Sequence, residues 1–146
     1  MKKTKLLAAL SAAMLGCCAM GGTAFAEETE PVDYTKYQLG DINLDGVVAV
    51  EDAQIALRLY TEYLVGRTVE ESCQRNGITA EQAKLGNIVN ETYSVDELVT
   101  VEDAFLILAY YNDRLCGKTG GDTITEYVQK LIQTGLFTSD VIVNER

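Results

Sequence analysis

Oxygen-bearing side chains occupy alternate positions in one short stretch of this chain. Asp41, Asn43 and Asp45 are spaced two residues apart, Gly46 follows them directly, and Asp52 comes seven positions after Asp45. Alternate residues of an extended loop can point their side chains toward one cation, and calcium prefers carboxylate and amide oxygens as ligands. Gly46 falls where the backbone must turn sharply and where we expect a side chain to clash. The spacing therefore predicts a calcium-binding loop.

The remaining positions of this loop follow the EF-hand pattern, in which Asp41 is the first ligand and Asp52 the last. Val47 is expected to give its main-chain carbonyl. Asp52 stands where a glutamate is usual, so it binds with one oxygen or draws the following helix closer. The alternative is an Asp/Asn/Gly turn before a helix, with Asp52 as an acid in the first turn. We favour calcium because all the loop positions agree at once.

The sequence repeats itself once. Residues 48–53 match residues 99–104, and the leucines, tyrosine and glycine of the following segment recur at the same offset of 51. The Leu-Gly pair at 39–40 recurs at 85–86, an offset of 46, so five residues are inserted inside the second loop. An internal duplication of this kind predicts two stacked loop–helix units.

The second loop, residues 87–103, has lost most of the metal pattern. Asn87 could keep the first ligand and Asp103 the last, but Val89 replaces a ligand and the turn glycine is absent. We expect calcium binding in repeat two to be weak or absent. Asp45→Ala should abolish both the stabilisation by calcium and the response to a chelator, and Asp103→Ala should cost less of these effects. Four residues could rebuild a site, although the spacing does not require it: Asn90, Glu91, Asp96 and Thr100.

Apolar residues at helical spacing predict an all-α fold: two EF-hand-like loop–helix repeats with a short bridging helix and an extra C-terminal helix. The helices are predicted over 51–64, 79–85, 101–115 and 123–135, and residues 141–143 could form a strand or a frayed tail. The core is expected to take Ala53, Ile55, Ala56, Leu57, Leu59, Tyr60 and Leu64 from the first long helix, and Phe105, Leu106, Leu108 and Tyr111 from the second.

Residues 1–26 have the three parts of a secretory signal peptide. A start with three lysines is followed by an apolar run over 6–19 and by Ala-Phe-Ala at 24–26. We therefore expect a secreted, extracellular protein without a membrane span. Cys17, after Leu-Gly, leaves a lipoprotein as the alternative. The other predicted segments are a flexible leader at 27–37, a domain at 38–118, and a C-terminal helix and tail at 119–146.

Composition excludes several function classes. The chain has 146 residues, a net charge of -10 and no histidine. An acidic protein is a poor nucleic-acid binder, and without histidine no Ser-His-Asp or Cys-His site can form. Cys73 and Cys116 follow the signal peptide; they make no zinc site, and the sequence does not show whether they pair. We predict that the protein is not an enzyme.

The two loop–helix units resemble a dockerin domain over residues 38–118. Repeat one carries Gly-Asp-Ile-Asn-Leu-Asp-Gly at 40–46 and Val-Glu-Asp-Ala at 50–53, and repeat two matches from Val99 onward. The long segment between the repeats and the Leu-Arg-Leu-Tyr-Thr helix are similar to divergent, ruminococcal dockerins related to type I. The resemblance implies a non-catalytic protein that binds a cohesin module of a scaffoldin in a calcium-dependent way. In this way dockerins attach their cargo to cellulosomes, which degrade plant polysaccharides.

By position, the resemblance also implies which residues contact the cohesin, and we expect one repeat to give the preferred face. Two alternatives remain: a secreted calcium-binding module without a cohesin partner, and a scaffold-carried regulator or inhibitor that acts through the C-terminal segment. The implied contact residues are Val50, Glu51, Leu57, Arg58 and Glu62 in repeat one, and Val101, Glu102, Leu108, Ala109 and Asp113 in repeat two.

Overall fold

The computed structural model describes residues 31–91, 99–137 and 141–144. The predicted signal peptide and its lipoprotein alternative lie outside these residues, and so does Asp96. No helix in the described part of the chain is long and apolar enough to cross a membrane.

Helices dominate the described residues, so the prediction of a mainly helical fold is confirmed. A 3-10 helix lies in the predicted leader, and two short strands pair near the second loop. In chain order the elements are the 3-10 helix Tyr34–Lys36, α1 Val50–Leu64, α2 Val69–Asn76, α3 Ala80–Leu85, β1 Val89–Glu91, α4 Val101–Leu115, α5 Ile124–Gln133 and β2 Val141–Val143.

The two long helices, α1 and α4, begin at the same point of the sequence repeat. Each has 15 residues and starts two residues before an aspartate, Asp52 in α1 and Asp103 in α4. Each carboxylate accepts a hydrogen bond from the backbone N–H of the residue before the helix, Ala49 or Thr100. That bond satisfies a backbone donor that a helix N-terminus leaves unpaired. The duplicated Val-Glu-Asp sequence therefore starts the same helix twice.

α1 packs against α4, and their facing side chains form the centre of the core. Ala56 and Leu59 of α1 and Leu106 and Ile107 of α4 are fully buried, as predicted for three of these four. The loops before the two helices and helix α5 complete this core with Ile42, Val48, Ile88, Val99, Ile124 and Val128.

Four of the predicted core residues are instead exposed. Leu57, Leu64, Phe105 and Leu108 keep 45%, 66%, 61% and 39% of their surface accessible, so these core predictions were wrong. The apolar arc of each helix is wider than the face that the helix buries, and periodicity alone does not say which edge of the arc turns inward. Three other predicted core residues are half-buried: Ile55, Tyr60 and Tyr111.

The sequence does not predict α2, although a local signal for it exists. Thr68 and Glu71 form a reciprocal capping box at its start, and Gly77 ends it with a φ of 68°. Two helices predicted from the sequence, α3 and α5, also begin with capping boxes, at Thr79 and Thr123. Of the two structures that the sequence allows at residues 141–143, the strand is observed. This strand, β2, pairs antiparallel with β1, with Val143 opposite Val89.

Helix α5 is held against α4 by two tyrosines. The rings of Tyr110 and Tyr127 meet edge to face with centroids 5.6 Å apart. The Tyr127 hydroxyl donates to Asp113 Oδ2 at 2.9 Å, and the Tyr110 hydroxyl donates to the carbonyl of Asp122 at 2.9 Å. Both hydroxyls are therefore satisfied while the rings stay packed.

Candidate calcium loops and exposed helix faces

Loop one, residues 41–52, turns through two left-handed residues. Leu44 has a φ of 64° and Gly46 a φ of 87°. A Cβ added at Gly46 would meet no atom within 4 Å. The expectation of a clash at this position is therefore wrong. Glycine is favoured here by the positive φ, which it adopts without steric cost.

The first three candidate ligands fold back onto the amides of their own loop. Asp41 is fully buried and accepts hydrogen bonds from the N–H groups of Asp45, at 3.1 Å, and Gly46, at 2.9 Å. Asn43 Oδ1 accepts from Asp45 N–H at 2.9 Å, and Asp45 Oδ1 accepts from Val47 N–H at 2.8 Å. Burial raises the pKa of Asp41, and the nearby charge of Asp45 adds to the increase. The turn thus gathers two acids and an amide.

Asp52 joins the start of loop one to the start of α1. Its side chain is fully buried, and its Oδ1 accepts from the backbone N–H groups of Ile42, at 2.8 Å, and Asn43, at 3.1 Å. Its Oδ2 accepts from Ala49 N–H at 2.9 Å. Burial raises the pKa of Asp52; the three backbone donors lower it, and the charge of Asp41 raises it.

The donor set of loop one fits calcium by its chemistry. Asp41, Asn43, Asp45 and Asp52 offer hard oxygens, and the three acids form no salt bridge within the described residues. Val47 is 41% exposed, and because its side chain has no oxygen, the main-chain carbonyl is its only ligand group. Across the described ranges no three acidic, cysteine or histidine side chains converge closely enough to hold an ion by themselves.

Loop two keeps the last aspartate of loop one and its bonds. Asp103 is fully buried, and its Oδ1 accepts from the N–H groups of Ile88, at 2.8 Å, and Val89, at 2.9 Å. Its Oδ2 accepts from the Thr100 N–H, at 2.7 Å, and the Thr100 hydroxyl, at 2.9 Å. Burial raises the pKa of Asp103, and these donors lower it. Asp103 is therefore satisfied by the protein itself.

Two other candidate ligands of loop two, Asn87 and Asn90, meet at the side chain of Asn144. Asn87 is buried, and its Oδ1 accepts a hydrogen bond from the side chain of Asn144 at 2.9 Å. Asn90 donates to the same Asn144 side chain at 2.8 Å. Asp96 lies outside the described residues. The side chains of Asn87 and Asn90 are thus both paired with a protein partner.

The implied cohesin contacts divide into exposed residues and residues held by internal contacts. Glu62 is paired with Arg67 and, at 3.3 Å, with Arg75. Asp113 is paired with Lys118 at 3.1 Å and accepts from the Tyr127 hydroxyl. Fully or partly exposed are Val50, Glu51, Leu57 and Arg58 on α1, and Val101, Glu102, Leu108 and Ala109 on α4.

Phe105 is a surface residue that sequence reasoning placed in the core. It is 61% exposed and lies one helical turn after Val101, on the same face as Leu108 and Leu115. The repeat itself contains the signal that could have found it, because Phe105 corresponds to Gln54 at the offset of 51. A polar residue at the matching position indicates a surface position in both repeats.

The cysteines do not pair. Cys73 is buried beside α1 in the core, Cys116 is exposed just after α4, and both thiols are free. The question that the sequence left open is therefore answered: no disulfide links α2 to the end of α4 in this structure.

Comparison of the chain with family models, with curated proteins and with solved structures finds no match.

Proposed function

We propose that this protein is a secreted, non-catalytic docking protein that binds a cohesin module of a scaffoldin in a calcium-dependent way. Its two repeats act as EF-hand-like loop–helix units of the dockerin kind. One observation carries the proposal: two helices, each directly after a loop closed by a buried aspartate, expose an apolar row at matching positions of a sequence repeat. Exposed apolar rows with polar surroundings are typical of protein-binding surfaces.

The calcium in this proposal is one ion in loop one, held by Asp41, Asn43, Asp45, the carbonyl of Val47 and Asp52. The support is electrostatic. Asp41 and Asp52 are fully buried, and burial raises the pKa of each; the charge of Asp45 adds to the increase at Asp41, and that of Asp41 adds to the increase at Asp52. No basic side chain among the described residues pairs with them. A divalent cation would relieve this repulsion. Calcium at a hundred times its Kd would then stabilise the fold by about 2.7 kcal/mol.

The cohesin face in this proposal lies mainly on α4. Its exposed row is Val101, Phe105, Leu108 and Leu115, whereas the matching row of α1 contains Gln54 in place of Phe105. Large aromatic side chains in the centre of an interface contribute most to affinity. Glu102 would lie at the rim, where a charge affects orientation and association rate more than affinity.

The C-terminal segment supports this reading over the alternative of a scaffold-carried regulator. The apolar face of α5 is buried against α4 and the loops, with Ile124, Tyr127 and Val128 in the core. A segment that acted separately on another protein would keep that face free. The exposed Phe105 likewise favours a binding partner over a calcium module without one.

The test is a pull-down of residues 27–146 against a panel of cohesins, with calcium and with a chelator. Capture of one cohesin class in calcium, lost in chelator, is the expected result. The matched control is Asp45→Ala, which should behave in calcium as the unmodified chain behaves in chelator. Failure of every cohesin to bind, while calcium still raises the melting temperature, would overturn docking and leave a calcium-stabilised domain.

A further inference from the structure

The C-terminal strand pairs with the beginning of loop two. β2 pairs antiparallel with β1, which forms the beginning of loop two, and the pairing continues past the strand through a hydrogen bond from Asn144 N–H to the carbonyl of Ile88 at 2.9 Å. Val143 packs against the core beside this pairing. Loop two therefore has a second segment of the same chain as its partner.

Asn144 makes the central contacts of this closure. Its side-chain Nδ2 donates to two oxygens of Asn87, the carbonyl at 2.8 Å and Oδ1 at 2.9 Å. Its Oδ1 accepts from Asn90 Nδ2 at 2.8 Å. One carboxamide thus joins two residues of loop two, and its donor group faces oxygen atoms as a cation would.

Comparison of the two repeats shows which ligand position of loop two Asn144 contacts. Asn87 corresponds to Asp41 at the offset of 46, so the oxygen that Asn144 contacts belongs to the residue at the first ligand position. Val89 corresponds to Asn43 and has no ligand oxygen in its side chain. The chemistry of the described part of loop two does not fit calcium, because Val89 has no side-chain oxygen and the neutral amide of Asn87 stands in place of the acid Asp41.

We propose that repeat two is a metal-independent unit in which Asn144, carried by the C-terminal strand, replaces calcium as the group that holds the loop closed. Residues 141–144 are then an integral part of repeat two. The proposal uses calcium binding by loop one only as a contrast and does not depend on cohesin binding.

Amide hydrogen exchange in residues 27–146 tests the proposal with matched probes. The N–H groups of Ile88 and Val89 donate to Asp103, and those of Ile42 and Asn43 donate to Asp52 in the same way. Calcium should slow exchange at the loop-one pair and leave the loop-two pair unchanged. Calcium titration should accordingly give no more than one bound ion per chain.

The variant Asn144→Ala should accelerate exchange at Ile88 and Val89 about tenfold, equally in calcium and in chelator, because it removes contacts equal to one or two net hydrogen bonds. Exchange at Ile42 and Asn43 should not change. Asn144→Asp keeps the shape but sets acceptor oxygens against those of Asn87, so it should accelerate exchange at least as much. This second variant separates hydrogen-bond donation from packing.

The proposal would be overturned by two calcium ions bound per chain, or by unchanged exchange at the loop-two amides in Asn144→Ala. Exchange in Asn144→Asp equal to that of the unmodified chain would also overturn it. A chain that binds no calcium at all would contradict the proposed role of loop one, while the acceleration in Asn144→Ala would still support the role of Asn144.

Discussion

Repeat one and repeat two share their helix and differ in their loop. Asp52 and Asp103 occupy the same position, are both fully buried, and accept hydrogen bonds from the same backbone groups of their own repeats. The loops between these contacts differ in length, ligands and glycine content. The loop–helix junction is therefore preserved by the aspartate and its amide donors, independently of the ligands that precede it.

The exposed faces of the two repeats differ as well. At the position where α1 has Gln54, α4 has Phe105, and where α1 has Arg58, α4 has Ala109. The repeat whose loop has lost ligands therefore has the more apolar helix face. We therefore propose that calcium binding and partner binding belong to different repeats, and the Asp103, Asp45 and Phe105 variants test this division.

The largest effect is expected when either junction aspartate is removed. Asp103→Ala leaves the backbone donors at Ile88, Val89 and Thr100 without their acceptor. We therefore expect the free energy of unfolding to fall by about 3 kcal/mol or more, in calcium and in chelator alike. Urea unfolding of the variant and of the unmodified chain measures this loss. This loss does not depend on calcium; for the calcium-dependent stability, the smaller loss in Asp103→Ala than in Asp45→Ala stays a prediction.

The exposed neighbour Glu102 is the matched control for this variant. Glu102→Ala should change the free energy of unfolding by no more than about 0.5 kcal/mol. A similar loss in the two variants would contradict the role given to the buried carboxylate.

Asp45→Ala should remove the effect of calcium and little else. The side chain of Asp45 is exposed and accepts from Val47 N–H and Asn43 Nδ2. We expect the calcium-dependent stabilisation of about 2.7 kcal/mol at a hundred times Kd to disappear, with a change of about 1 kcal/mol or less in chelator. Thermal unfolding in both conditions measures these quantities. A full calcium response in Asp45→Ala would assign the ion to another part of the chain.

Phe105→Ala should weaken cohesin binding by about 2 kcal/mol, or roughly thirtyfold in Kd, as expected for a central aromatic contact. Because Phe105 is 61% exposed, the melting temperature should change little. Gln54→Ala at the matching position of repeat one should change the Kd less than about fivefold. Calorimetric titration with the captured cohesin gives both values. The opposite ranking would move the binding face to α1.

The smallest effect concerns pH. Burial, aided by the hydrogen bond to Asp113, raises the pKa of Tyr127 from 10.0 to about 12. The unfolded chain loses this proton first, so the stabilising contribution is fully present below pH 10 and is lost as the pH rises toward about 12. Tyr127→Phe should make unfolding less sensitive to pH over this range. Burial also raises the pKa of Tyr63, which lies beside α2, to about 12. In Tyr127→Phe, the tyrosinate absorbance should therefore still show the late titration of Tyr63.

Much of the helical fold could be predicted from the sequence because its signals are local. The offset of 51 gives α4 with its observed ends, and capping boxes give the starts of α3 and α5. The capping box of Thr68 would have given α2 by the same reasoning. The exposure of Phe105 could not be obtained from periodicity, since the apolar arc of α4 is wider than its buried face.

The closure of loop two could not be predicted, because its contacts lie far apart in the chain. Asn144 and Asn87 are 57 residues apart, and no local pattern links a short Val-Ile-Val strand to a particular partner. The candidate ligands of loop one, in contrast, all lie within residues 41–52, so their pattern is read directly from the sequence. Local chemistry is visible in a single sequence, whereas long-range strand pairing requires the fold.

This difference in separation also affects how fast each loop can form. The contact of Asp52 with Ile42 closes 10 residues, while that of Asn144 with Asn87 closes 57. The longer closure costs about 1.5 kcal/mol more chain entropy, and contacts between distant residues form slowly. Loop one can therefore close early in refolding, whereas the strand over loop two is completed only after the helices between its two ends have assembled.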